Sequence, residues 1–166
     1  MTAIVVADAS VVVKWFSADR PEEDDVEAAL QLLYAVYDGR VRLRQPPHWL
    51  AEVAAVLTRL SPETAIEDIA DLHVMEVDEV RTLSAYERAS QLARSLEQHW
   101  FDTLYHAVAL ETRGASLVTA DERYFRAAAP MGSIELLSAS AVEQLLRPHL
   151  ESRVREKHCG GAAQSA

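Results

Sequence analysis

A three-layer α/β/α fold around a central, mainly parallel sheet of about four or five strands is the architecture this chain predicts. Three observations lead there. Ile4-Val5-Val6-Ala7 is an unbroken apolar run, the pattern of a strand buried on both faces, as strands of parallel sheets are. Segments of this kind alternate with segments of helical periodicity, the signature of βαβ units. Two of the strands then stop at a carboxylate, Asp8 and Asp121, at the carboxyl end where open α/β sheets hold their ligands.

In chain order, the first strand is followed by a short helix over Val11 to Phe16. Asp19 to Asp25 is acidic and contains Pro21, so a loop is expected to lead into a helix N-terminus, where acids suit the dipole. Val26, Leu30, Leu33, Tyr34 and Tyr37 recur at helical spacing until Gly39, which ends the helix. Val41-Arg42-Leu43-Arg44 alternates apolar and basic residues and is closed by Pro46-Pro47, the pattern of a short strand. Trp49, Val53, Val56, Leu57 and Leu60 form the stripe of the next helix, with Glu52 beside it. Ser61-Pro62-Glu63 restarts a short helix to about Leu72, with Pro at the first helical position. His73 to Val77 is expected as a strand. Val80, Leu83, Tyr86, Ala89, Ala93 and Leu96 mark one helix, and Phe101, Leu104, Tyr105, Val108 and Thr112 another, which Gly114 stops. Ser116 to Ala120 reads as a strand before Asp121, Ile134 to Leu137 as the last strand, and Ala141 to Leu146 as the last helix.

The chain of 166 residues suits one domain with a sizeable core. Hydrophobic residues make up 49% and charged ones 25%, a balance that excludes general disorder. No apolar run approaches the roughly 18 residues of a membrane span, and no basic region precedes the first apolar stretch as in a secretory signal. The single cysteine, Cys159, fits a reducing cytoplasm. The formal charge of −10 argues against indiscriminate gripping of nucleic acid. It leaves room for a nuclease whose acidic site is neutralised by cations.

Asp8 and Asp121 finish two strands on the same side of a parallel sheet, and Glu52 and Asp102 lie beside the apolar faces of two helices. Four carboxylates brought together repel unless cations sit between them, and oxygen-only sites suit Mg²⁺ or Mn²⁺. Such ions serve phosphodiester hydrolysis. Each acid also has an ordinary alternative. Asp8, Asp102 and Asp121 each stand where an aspartate caps a helix, and Glu52 reads equally as a solvated helix glutamate.

Val6-Ala7-Asp8-Ala9-Ser10, Pro47-x-x-Leu50-x-Glu52-Val53, Phe101-Asp102-x-x-Tyr105-x-Ala107 and Leu117-Val118-Thr119-Ala120-Asp121 resemble, in order and spacing, the four signature blocks of PIN-domain ribonucleases. The similarity runs from about Ile4 to Leu146, so the domain is expected over 1–147 with a flexible tail at 148–166. Within that superfamily the compact length is most similar to VapC-like toxins of toxin–antitoxin pairs. The resemblance implies a Mg²⁺- or Mn²⁺-dependent endoribonuclease, often dimeric and held inactive by a small antitoxin protein. By the same resemblance Asp8, Glu52, Asp102 and Asp121 are the catalytic and metal-binding acids, with Ser10 and Thr119 as supporting hydroxyls. Glu97-Gln98-His99-Trp100 departs from the short Gly-containing turn that the family places before Asp102.

Other residues carry weaker signals. His99 and His106 flank Asp102, but their spacing is no known zinc signature. Trp15, Trp49 and Trp100 could stack bases, although core packing or dimer contact explains them better. The apolar helices around Trp15 and Trp49 are expected to dock a partner. Lys14, Arg42, Arg44, Arg59, Arg113, Arg123 and Arg126 are candidate phosphate contacts. The competing functions are a PIN-fold nuclease acting in RNA processing or on DNA, a catalytically silent binding module, and a phosphate-accepting receiver. The last needs a lysine at a late strand end, and the chain holds only Lys14 and Lys157.

Overall fold

The structure is a computed structural model that describes residues 2–17 and 23–147. Five strands form one sheet: β1 (Ala3–Ala7), β2 (Val41–Gln45), β3 (Asp78–Glu79), β4 (Ala115–Thr119) and β5 (Ile134–Leu136). Their spatial order is β3-β2-β1-β4-β5 and every pairing is parallel. Parallel neighbours need crossover connections, and helices supply them, giving the expected three layers. The helices are α1 (Ala9–Val12, continued by a 3₁₀ turn to Phe16), α2 (Val26–Tyr37), α3 (Trp49–Leu60), α4 (Ala65–His73), α5 (Leu83–Leu96), α6 (Trp100–Glu111), α7 (Glu122–Ala128) and α8 (Ala139–Leu146).

The central strands β1 and β4 carry the core: Val5, Val6, Ala7, Leu117 and Val118 are all buried. The chain leaves β1 for β2 on one side and reaches β4 on the other, so the strand order reverses between β1 and β4. A crevice opens at the carboxyl ends of such a pair. No helix among the described residues is long and apolar enough to cross a membrane.

The structure shifts several expected elements. Helix α1 begins at Ala9 rather than Val11. His73 to Val77 is not a strand: α4 runs through His73, and β3 is only Asp78–Glu79, a short polar edge of the kind that discourages further pairing. Val80 lies outside the following helix, which starts at Leu83 after Thr82, whose Oγ1 accepts from the Ala85 N–H at 3.3 Å. The face of α2 is also rotated from the expected one. Ala28, Ala29, Leu32 and Ala35 are buried, while Tyr34 and Tyr37 are 60% and 67% exposed. Small alanines let α2 approach its neighbours closely, and a stripe chosen for large apolar residues overlooks them. The acidic loop expected over Asp19 to Asp25 lies partly, and the tail of 148–166 wholly, outside the described residues.

Candidate active site

Asp8 leaves β1 directly beside the end of β4, its N–H donating to the Val118 carbonyl at 3.0 Å. Although Asp8 occupies the N-cap position of α1, its side chain makes no cap hydrogen bond. The carboxylate turns to hydroxyls instead: Oδ2 accepts from Ser10 Oγ at 2.6 Å and from Thr119 Oγ1 at 2.7 Å. Each hydroxyl is itself held by backbone. The Ala120 N–H donates to Ser10 Oγ at 3.0 Å and the Asp121 N–H to Thr119 Oγ1 at 3.1 Å. Two relays thus fix one carboxylate oxygen to the end of β4. Burial pushes the Asp8 carboxyl above its ordinary range, opposed by the two hydroxyl bonds and reinforced by the charge of Glu52.

A glutamine that the sequence reading passed over secures the strand behind this aspartate. Gln45, fully buried at the end of β2, accepts from the Ala7 N–H at 3.1 Å and donates to the Ala7 carbonyl at 2.8 Å. Its amide acts as one more peptide unit, extending the β1–β2 ladder past the Val5–Leu43 pair. Asp8 therefore projects from a strand end that is tied on both sides.

Glu52 sits in the first turn of α3 and is half-buried. Tyr105 from α6 donates its phenol to Glu52 Oε2 at 2.9 Å, and His48 Nε2 lies 3.4 Å from the same oxygen. His48 is at ion-pair distance without hydrogen-bond geometry, since neither ring nitrogen has a partner that meets it. Burial raises the Glu52 carboxyl, but His48, Tyr105 and the charge of His99 outweigh it, and the net direction is downward. The Tyr105 phenol, desolvated and facing three carboxylates, stays protonated as a donor.

Asp102 lies in the first turn of α6, partly buried, with His99 at the N-cap. Burial first, then the charges of Asp8, Glu52 and Asp121, push its carboxyl up to about 6, with His99 opposing. The turn entering α6 works without glycine: Glu97 itself adopts φ +53, a left-handed conformation uncommon outside glycine. Asp121 is exposed, and its Oδ1 caps α7 by accepting from the Tyr124 N–H at 2.9 Å. The capping reading holds for Asp121 and fails for Asp8.

Four carboxylates from β1, α3, α6 and the β4–α7 turn therefore surround the carboxyl end of the β1–β4 pair and sense one another electrostatically. Among the described residues no group of three or more His, Cys, Asp or Glu side chains is closed on a point that could hold a metal ion. The donor chemistry still fits a hard divalent cation. Magnesium keeps several of its waters and is held through one or two carboxylates plus substrate phosphate, not by an all-protein cage.

The remaining candidates separate cleanly. His106 is fully buried, with Nε2 2.7 Å from the Gly132 carbonyl and Nδ1 3.2 Å from the Tyr124 hydroxyl, so it is a core group and no zinc ligand. Trp15 and Trp49 are 5% and 4% exposed; neither can stack a base or serve as a docking anchor. Trp100 donates to Ser90 Oγ at 3.1 Å and stacks on Tyr86. Lys14 is held by Glu23 and by the Asp24 carbonyl, which removes it as a phosphate contact and as a receiver lysine. Arg42 pairs with Asp78 and Arg126 with Glu122. Arg113 borders a cavity of about 600 Å³ at the opposite, amino-terminal edge of the sheet. His48 and Tyr105 are the site residues that sequence reasoning left without a role. Their only signal was position: one turn before Glu52, and one turn after Asp102.

The model of the PIN domain family matches residues 5–130, which takes in all four acids and, apart from Ala3 and Ile4 of β1, all of the sheet but β5. No curated protein matches the chain. The chain belongs to the PIN domain family, whose members are generally nucleases.

Proposed function

We propose that the protein is a Mg²⁺- or Mn²⁺-dependent endoribonuclease of the cytoplasm, the toxin of a VapBC-type pair, acting as a homodimer restrained by a small antitoxin. The observation that carries the catalytic part is the convergence of Asp8, Glu52, Asp102 and Asp121 on the carboxyl end of the β1–β4 pair, where burial and then the neighbouring charges raise the Asp102 carboxyl. Evolution has little reason to crowd four carboxylates at a strand-end crevice unless positive charge enters it. In this reading Asp8, Glu52, Asp102 and Asp121 hold the ion. When bound, it supplies Lewis-acid polarisation of the scissile phosphate and of the attacking water.

The chain's own residues do the rest. Ser10 and Thr119 orient Asp8, leaving its carboxylate little rotational freedom. Tyr105 and His48 keep Glu52 ionised at neutral pH. Asp102, poised near neutrality, is the acid whose charge depends most on what enters the crevice. Crowded carboxylates repel a polyanion, so RNA must be admitted by neutralisation and by local contacts, not by a broad cationic surface.

The toxin part rests on the compact resemblance and on apolar side chains left exposed, among them Leu60 at the end of α3 and Ile66 near the start of α4, 44% and 83% exposed. Apolar surface held in water is stabilised when a partner covers it. The decisive experiment combines both parts. Purified protein should cut RNA with Mg²⁺ or Mn²⁺ and stop in EDTA. Its expression should arrest growth, and Asp8→Ala should relieve the arrest. Cleavage that persists in EDTA overturns the metal mechanism, and equal arrest by Asp8→Ala overturns the toxic ribonuclease.

A further inference from the structure

Beside the acids lies a cluster of rings whose exposed member, Phe101, has no part in the reaction as described. Phe101, the residue immediately before Asp102, is 44% exposed at the head of α6. It is not a loose side chain. His48 packs against it with ring centroids 4.8 Å apart, His99 at 5.5 Å and Trp100 at 5.6 Å, the last edge-on. His48 in turn meets Tyr105 at 4.9 Å and stands 3.4 Å from Glu52. The platform is therefore bounded by Asp102 along the chain and by Glu52 across the cleft.

An exposed phenyl ring braced by three others retains apolar surface in contact with water, which is unfavourable unless something covers it. Because the ring is already immobilised, covering it costs little side-chain entropy. The surrounding carboxylates exclude a free anion as the occupant. They do not exclude the neutral π-face of a nucleobase, which the sugar separates from its phosphates. Bases of a duplex are stacked within it, so only an unpaired strand offers such a face. Base–aromatic stacking supplies affinity that needs no cationic surface, the component this acidic protein lacks.

We infer that Phe101, braced by His48, His99 and Trp100, is the floor of a nucleobase subsite that seats one base of a single-stranded RNA next to the acidic crevice. The inference rests on the nuclease reading and adds how the substrate is held. The histidines contribute ring packing, and no change in their charge is required.

The test uses the full chain and two probes of equal length, a single-stranded 2′-O-methyl RNA and an abasic backbone, with binding followed by fluorescence anisotropy in Mg²⁺ and each probe shown to be intact by gel electrophoresis after the reading. Phe101→Leu should weaken binding of the base-bearing probe roughly 5- to 100-fold and leave the abasic probe unchanged, while Phe101→Tyr should bind both as the wild type does. Phe101→Met, equally apolar and flexible, guards against a packing artefact and should behave as Phe101→Leu. Unchanged binding by the leucine and methionine variants overturns the subsite, as does an equal loss on the abasic probe. An arginine-rich peptide that depends on Phe101 when the RNA probe does not would assign the ring to a protein contact instead. Cleavage of unmodified RNA is followed in parallel. A wild type that cuts RNA but binds it without regard to Phe101 overturns the subsite alone. A wild type that cuts nothing yet holds bases through Phe101 overturns the nuclease reading alone.

Discussion

Asp102→Asn should make the metal-free protein more stable at neutral pH while abolishing cleavage. The Asp102 carboxyl is raised from 3.8 to about 6 by burial and by Asp8, Glu52 and Asp121. At 1.36 kcal/mol per tenfold change, that displacement corresponds to ~3 kcal/mol of penalty for carrying the charge in the folded state. Asp102 is only partly buried, and water and salt screen its neighbours, so on the order of 1–2 kcal/mol should survive in measurement. For an acid whose folded pKa is raised, the penalty is absent below pH 3.8, grows between there and about 6, and is fully present above. The variant should therefore melt roughly 2–8 °C higher than wild type at pH 7.5 in EDTA and converge with it near pH 4. Saturating Mg²⁺ should then reverse the order, raising the wild-type midpoint but not that of the variant. Thermal melts followed by circular dichroism across pH 4 to 8, with and without Mg²⁺, read all three. If Asp102→Asn stays active and melts earlier at every pH, Asp102 is a favourable first-turn charge on α6 and belongs to no cation site.

Two further predictions concern groups behind the site. Gln45→Leu fills the same space but strands the Ala7 N–H and carbonyl, and should cost about 2–5 kcal/mol in urea unfolding; a cost below about 0.5 kcal/mol would show that the amide bridge is dispensable. His106 is held below its ordinary pKa by burial, against the opposing pull of the Gly132 carbonyl, so it favours the neutral form in the fold. Its contribution is present above pH 6.5 and is lost as pH falls. His106→Gln should flatten that acid limb, and a variant whose loss of stability between pH 7 and 5 matches the wild type would refute the assignment.

Strand ends and acids were legible in the sequence because both obey short-range rules. A run such as Ile4 to Ala7 has to be buried on two faces, and a carboxylate that stops it must lie at the sheet's carboxyl edge. Asp8 and Asp121 could be paired without coordinates once β1 and β4 were both read as parallel strands. The face of α2 was not legible, because alanines pack by fit between elements and not by hydrophobicity. Nor was the two-residue β3, which is held by pairing with Arg44 and Gln45 at the end of β2, with the Val80 N–H donating to the Gln45 carbonyl at 2.9 Å.

Sequence by itself determined the α/β class and the parallel sheet, and it picked out the four acids as candidates, since periodicity and residue type are local properties. The tertiary structure alone decided which partners the acids meet there. Asp8 takes its hydroxyl partner from a residue 111 positions away, and Glu52 its phenol from one 53 positions away. It also decided that Trp15 and Trp49 turn inward while Phe101 turns outward. Three aromatics with the same local signal were separated by which neighbours the fold brought to them. Hydrogen bonds and burial depend on distances between elements, and nothing in local periodicity encodes those.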